Sequence, residues 1–273
     1  MLAPALKKLM FVMFGNSGFN LKGTTLHPPL ARYESKVGPA VRPPNGLVAL
    51  LLQADFDLVS PYLRNLELVR EQVIVAAGDE IKQAYLPHSG IISLVVRLTH
   101  GETTEVAMVG NQSIFGASAA LGNSSALTTA IVTIGGMCSV LPIRRLREAM
   151  DQSATLRTTL IQQEQSILVQ AQQTAACNAS HLTVARLARW LLRARDATGS
   201  DELQFTQESL GQMLGVHRNA VSFVACALKD KGVIQFSRAQ IRIIDAIGLK
   251  SVACECYEAV RLELEQLRRG QVN

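Results

Sequence analysis

Several things are scarce or missing in this chain, and each absence closes a class of function. No apolar run approaches the roughly 18 residues that span a bilayer, so a membrane helix is not expected. The run Leu9 to Phe14 follows Lys7 and Lys8 but falls short of the roughly 7–15 apolar residues of a secretory leader, so a cytoplasmic location is expected. The five cysteines, Cys138, Cys177, Cys226, Cys254 and Cys256, are odd in number, and none stands at C-x-x-C spacing. A chain of 273 residues needs no disulfide staple, so these read as buried or idle thiols in a reducing compartment. Cys254 and Cys256 lie two apart, which on a helix turns them to roughly opposite faces; the objection to a shared metal holds only if that segment is helical. His27, His88, His100, His181 and His217 show no H-x-x-x-H ligand spacing. Phosphate-binding loop, nucleophile–base pair and paired carboxylates are all missing, and Glu105 and Asp79 read as ordinary strand or turn residues. No enzyme activity, metal or cofactor is expected.

What is present is globular. Apolar residues make up 48% and charged residues 18%, and the length suggests about two domains. A net charge of +5 allows a polyanionic partner without proving one. Residues 1–45, with Pro28-Pro29, Pro39 and Pro43-Pro44, read as a poorly structured tail. From Leu47 to Leu68 short helical patterns are broken by Pro61. Between Val69 and Pro142 the chain becomes short β-branched runs, such as "GIISLVVRL" and "TEVAMVG", separated by glycines. Close turn spacing of this kind predicts an all-β sandwich or barrel. In "EVAMV" strict alternation puts Val106 and Met108 on one face.

After Pro142 the period becomes helical. "IRRLREAM" is one short helix. Then 26 residues from Ser153 to Asn178 run without Gly or Pro, about 39 Å of helix. Leu156, Leu160, Ile167, Ala171 and Thr174 form a single stripe on it, interrupted by Gln163 and Gln170. The stripe fits an ordinary helix lying on its own domain or, better, a two-helix dimer seam. "HLTVARLARWLLRARDATG" is a further amphipathic helix. Leu182, Leu187 and Leu191 are among its apolar residues, Arg186, Arg189, Arg193 and Arg195 point mostly outward, and Gly199 stops it.

The next segment carries the clearest chemistry. Thr206 is an N-cap, with Glu208 in the first turn, and "QESLGQMLG" leads through Gly215 and Val216 into a second helix from about Arg218 to Lys229. Two short helices around a glycine turn form a helix-turn-helix. Val221, Val224 and Leu228 share its buried face, which turns Arg218, Asn219, Ser222, Phe223 and Cys226 outward. "GVIQFSRAQIRIID" then has the form of a wing. Five basic residues against two acidic ones between Thr206 and Arg242 give a modest positive bias.

"LGQMLGVHRNAVSFVACALKDKGVI" and "QIRIID" resemble the recognition segment and wing of the Crp/Fnr regulators. "YLPHSGIISLVVRLTHGETTEVAMVGNQSIFGASAALG" is similar to the sensor of a poorly characterised branch of that family. The resemblance covers about residues 47–270. It implies an α+β protein: a jelly-roll cyclic-nucleotide-binding-like β-barrel over 46–150, a dimerisation helix over 151–178, and a winged helix-turn-helix with a C-terminal helix over 179–273. It also implies a homodimer on double-stranded DNA, with the recognition helix starting at Arg218. Arginine forks onto guanine in the major groove. Asn219 replaces a common family Glu and Phe223 a common Arg, so the target should differ from the usual palindrome. Gln207, His217, Ser222, Lys229 and Arg238 complete the expected DNA-contacting set, with Lys231 and Arg242 as further phosphate-facing charges. Arg218 as an internal cap or ion pair, and Phe223 as interdomain packing, remain the competing readings.

The effector turn expected by the same resemblance is Phe115, Gly116, Ala117 and Ser118. It lacks the family's carboxylate at Ala117, and no arginine lies between Arg97 and Arg144, so cyclic AMP is not the expected ligand. The dimer seam is expected at Leu156, Leu160, Ile167 and Thr174. The function expected is sequence-specific transcription regulation, with RNA polymerase and an unidentified small-molecule effector as further candidate partners. The rival readings are a protein-interaction module with a degenerate DNA-binding domain and a true cyclic-nucleotide sensor.

Overall fold

The computed structural model describes residues 41–99, 102–122, 124–237 and 240–269. Nearly all of the expected tail therefore lies outside the described residues, as do His27, His100 and Arg238. The described fold opens at Asn45. Its side-chain oxygen accepts from the N–H groups of Leu47 and Val48, capping α1 (Gly46–Leu50). Helix α2 (Gln53–Val59) follows and ends in a single 3-10 turn at Pro61.

Seven strands come next: β1 (Arg64–Leu68), β2 (Val73–Val75), β3 (Gln83–Pro87), β4 (Ile91–Arg97), β5 (Thr103–Val109), β6 (Thr129–Ile134) and β7 (Gly136–Pro142). A short helix, α3 (Ala117–Leu121), lies between β5 and β6. The strands make two antiparallel sheets, β1-β7-β3 and β2-β6-β4-β5. The expected barrel is therefore a jelly roll of two sheets that do not close on each other. Leu68, Leu86 and Val140 from one sheet share a core with Ile92, Leu94 and Val132 from the other.

The larger sheet is covered on its second face as well, where Ile91, Val95 and Met108 join a core with residues of the C-terminal domain. Burial on both faces explains why β4 reads as a nearly continuous apolar run, interrupted only by Ser93 before Arg97 ends it. It also corrects the alternation expected in β5. Leu94 pairs with Ala107 and Val95 with Glu105, so Val106 is an extra residue in a β-bulge. The bulge sends Val106 to the jelly-roll core while Met108 packs in the C-terminal core, on opposite faces rather than one.

Pro142 ends β7 and gives way to α4 (Ile143–Gln152). Ser153 then caps α5 (Ala154–Ser180) by accepting from the Leu156 N–H. On α5 the expected seam needs correction. Leu156, Leu160 and Thr174 are buried within the chain itself, and Ile167 packs partly buried on the same core. The stripe legible in the sequence is the face that α5 lays on its own domains. Burying each leucine contributes about 1.5–3 kcal/mol.

Helix α6 (Thr183–Thr198) ends at Gly199 in the left-handed conformation. Its arginines are also placed otherwise than expected. Arg186 is 8% exposed, Arg189 3% and Arg193 8%. Only Arg195 reaches the surface, where it pairs with Asp201. Leu182, by contrast, is exposed. Strand β8 (Glu202–Gln204) precedes α7 (Gln207–Leu214) and α8 (Arg218–Asp230). The hairpin β9 (Ile234–Ser237) and β10 (Gln240–Ile243) joins β8 as a three-stranded wing sheet. Helices α9 (Ala246–Val252) and α10 (Cys256–Arg269) close the fold. Cys254 lies in the break between them, so the helical premise that separated it from Cys256 does not hold.

Candidate nucleic-acid interface and its link to the sensor

The helix-turn-helix is built by local chemistry. The Thr206 hydroxyl accepts from the Ser209 N–H while the Ser209 hydroxyl accepts from the Thr206 N–H, a reciprocal cap on α7. Gly215 ends α7 at φ +62°, and a Cβ there would stand 2.6 Å from the Thr104 hydroxyl on β5. The turn thus needs glycine for its backbone and for its approach to the sensor. The buried Arg186 donates to the Leu214 carbonyl, placing a cation at the C-terminal end of α7.

Helix α8 buries Val221, Val224 and Leu228 and turns Arg218, Asn219, Phe223, Cys226 and Lys229 to solvent. Phe223 is 78% exposed, so among the described residues it packs in no interdomain contact. Arg218 forms no ion pair with the described residues; its guanidinium reaches the Gln207 side-chain oxygen at 3.5 Å. The same oxygen accepts from Ser222 at 2.7 Å. Gln207 therefore brackets the start of α8 from the preceding helix. His217 is exposed and makes no side-chain cap bond, and no acidic residue lies in the first turn of α8. The positive end of the helix dipole is left unopposed beside Arg218. On the wing, Arg242 pairs with Glu202 at 3.7 Å, and Lys231 is exposed.

Behind this surface lies a polar joint that the sequence did not reveal. Glu105, turned by the bulge toward α6, accepts from the Trp190 indole N–H at 2.8 Å and from the Ser93 hydroxyl, which accepts in turn from Thr133. Burial pushes the Glu105 carboxyl above its ordinary value, against the pull of Ser93, Arg193, Trp190 and Arg189. Arg193, also buried, is lowered to about 10 by desolvation and by Arg189, against Glu105 and Asp196. The Gln170 side-chain oxygen accepts from both the Met108 N–H at 3.0 Å and the Arg193 guanidinium. Gly110 carries the contact further along β5: its Cα faces the Ala197 carbonyl with no room for a Cβ, and the Asn111 N–H donates to that carbonyl. The one available cue was that Gln163 and Gln170 broke an apolar stripe; Glu105 carried no cue beyond being a charge in an apolar run.

Residues 66–153 match the family model of the cyclic nucleotide-binding domain, and residues 185–252 match that of the Crp-like helix-turn-helix domain. The chain belongs to the Crp/Fnr family of transcriptional regulators. Solved structures agree in fold. FixK2 from Bradyrhizobium japonicum is 17% identical, with a TM-score of 0.61 over 70% of this chain and 98% of its own. A putative crp/fnr-family regulator from Eubacterium rectale is 18% identical, with a TM-score of 0.58 over 76% and 96%. A CRP-family regulator from Thermus thermophilus is 22% identical, with a TM-score of 0.55 over 69% and 96%. Among curated proteins none matches by sequence. No helix among the described residues is long and apolar enough to cross a membrane.

In this Crp/Fnr regulator the expected effector turn is packed tightly. Phe115, Gly116 and Ala117 are buried, with Phe115 and Ala117 in the hydrophobic core. The Ser118 N–H is taken by the Glu164 carboxylate of α5 at 2.8 Å. A cavity of about 280 Å³ lies elsewhere, between the loop after β5 (Asn111 to Ser113), Arg193 and Asp196 of α6, and Tyr257, Arg261 and Arg268 of α10.

Proposed function

We propose that this chain is a sequence-specific DNA-binding regulator that works as a homodimer and catalyses no reaction. The observation that carries this reading is the exposed N-terminal face of α8, where Arg218, Asn219 and Phe223 stand clear of the domain. Arg218 forks onto a guanine, Asn219 pairs with adenine and Phe223 packs on a thymine methyl. Lys229, Lys231 and Arg242 add affinity through phosphates without reading sequence.

The dimer seam we assign is the outer face of α5. Thr158, Ile161, Gln165, Leu168, Gln172 and Ala175 are all exposed and recur at alternating intervals of three and four, the spacing of a two-helix seam. Pairing there sets two copies of α8 about 34 Å apart, on successive major grooves. An effector acts only through unequal affinity for the DNA-competent and incompetent arrangements. The cavity bordered by Asn111, Arg193 and Arg268 touches sensor, α6 and α10 together, which makes it the better candidate than the packed Phe115 turn.

Selection of bound duplexes from a random library with the purified protein tests the reading. Enrichment of a two-fold symmetric site with half-sites one helical turn apart is the expected result. Binding with no sequence enrichment at any salt concentration would favour a protein-interaction module instead.

A further inference from the structure

Four ligand-type side chains converge where α5 ends, at a place the DNA-binding reading does not use. Cys177 lies in the last turn of α5 and His181 directly follows that helix. Cys254 sits in the break between α9 and α10, and Cys256 opens α10. Their three sulfurs and one imidazole nitrogen all lie within 4.8 Å of one another. The Cys177 and Cys254 sulfurs are 3.5 Å apart, and the Cys256 sulfur is 3.5 Å from His181 Nδ1. An ion with Zn–S bonds of about 2.3 Å and a Zn–N bond of about 2.0 Å holds its ligands about 3.5–3.8 Å apart. The pairs above already stand near that separation, and the widest needs to close by about an ångström.

The surroundings favour a bound cation over a chance meeting of thiols. The far nitrogen of His181, Nε2, donates to Glu255 at 3.1 Å, which leaves Nδ1 with its lone pair toward the sulfurs. A carboxylate behind a histidine is the usual support of a metal-bound imidazole. The Gln173 amide donates to the Cys256 sulfur at 3.0 Å. Arg186 and Arg189 interact electrostatically with the thiol group, and the Nε of each is buried without a hydrogen-bond partner among the described residues. Three thiolates around a divalent ion carry one net negative charge, which these guanidinium groups offset. Cys177 and Cys256 are almost wholly inaccessible, so the four ligands leave no open coordination position, the mark of a structural rather than a catalytic site.

We propose that Cys177, His181, Cys254 and Cys256 hold one thiophilic divalent cation, of the zinc class, in a closed tetrahedral site. The ion fastens the end of α5 to the α9–α10 junction, and so ties the helix that we assign to the dimer to the last helix of the chain. Each cysteine gives up its proton to the solvent as its bond to the metal forms, and no oxidant or reductant takes part. A single ion suits ligands this close together better than a multi-iron cluster, whose ligands stand on separate metals.

The full-length protein, reduced and stripped with a chelator, is titrated with cobalt(II) and then with zinc(II). One cobalt per chain is expected, with the strong visible bands of a tetrahedral thiolate site, bleached by one equivalent of zinc. Cys177→Ser and Cys254→Ser should each abolish those bands. Glu255→Gln, whose side chain is largely exposed, keeps the fold and should weaken metal affinity about 10–100-fold. Three results would each overturn the site: a reduced wild type without tetrahedral bands, bands unchanged in both cysteine variants, or unaltered affinity in Glu255→Gln. A Cys177–Cys254 disulfide that persists in the protein prepared under reducing conditions would overturn it as well.

Discussion

Helices α6 and α8 both carry arginine, and the two lie in one small domain, but their arginines meet opposite environments. On α8, Arg218 stands in solvent at the start of the helix, held loosely by Gln207. On α6, Arg186, Arg189 and Arg193 are buried against the sensor, the end of α5 and the end of α7. One residue type thus occupies two settings: a solvent-facing helix start, which we assign to DNA, and a buried interdomain joint. The difference teaches that basic character on a helix identifies a nucleic-acid face only after the packing partner is known. A buried guanidinium is tolerated where carboxylate, amide and carbonyl oxygens surround it.

The comparison can be broken hardest at Arg193. Arg193→Ala strips Glu105 of the opposite charge that acts on it most and Gln170 of a donor, and should cost about 3–5 kcal/mol of stability. Chemical denaturation measures this, and Trp190 emission, the sole tryptophan signal, should shift to the red as the joint loosens. A loss below about 1 kcal/mol would mean the buried network contributes little.

The two faces of α5 give the next test. Leu160→Ala on the inner face should cost about 2–5 kcal/mol of folding stability. Leu168→Glu on the outer face should leave folding nearly unchanged and convert the protein to a monomer in analytical ultracentrifugation. An intact dimer in that variant would move the seam elsewhere.

Arg218→Ala sharpens the contrast from the other side. It should change stability by no more than about 0.5 kcal/mol while weakening the selected DNA site by about 1–3 kcal/mol. Equal weakening on all sequences would reassign Arg218 to phosphate.

The smallest effect concerns pH. The Glu105 carboxyl lies above its ordinary value of 4.5 in the folded protein, so its contribution to stability is complete below that value. The contribution is lost as pH rises through the elevated folded value. Glu105→Gln removes this dependence, and its denaturation midpoint should fall less steeply than wild type as pH rises above 4.5. Parallel profiles for the two proteins would show that Glu105 does not titrate in that range.

Much of the DNA-binding half was legible because its signals are local. Thr206, Gly215 and Gly199 mark helix ends by their own backbone chemistry, and the period of Val221, Val224 and Leu228 fixes which face of α8 is outward. The jelly roll was legible as strands and glycine turns, but not as two open sheets, because strand pairing is a long-range property. The inner and outer faces of α5 could not be told apart, since Leu160 and Ile161 are equally apolar and only the position of the jelly roll separates them. The arginines of α6 looked solvated because nothing in their neighbourhood announces Gln170, 23 residues from its partner Arg193, or Glu105, 85 residues from its partner Trp190 on the same helix. The break at Ala253 carries neither Gly nor Pro, so Cys254 and Cys256 read as one helix.

Gln170 offers a single amide oxygen with two lone pairs, one filled by the Met108 peptide of β5 and the other by the Arg193 guanidinium of α6. Neither donor can retreat without leaving a buried polar atom stranded. A displacement of β5 therefore drags α6 with it or breaks the connection outright. A shift of the larger sheet against the helix-turn-helix domain is thus counted in whole hydrogen bonds, with nothing in between.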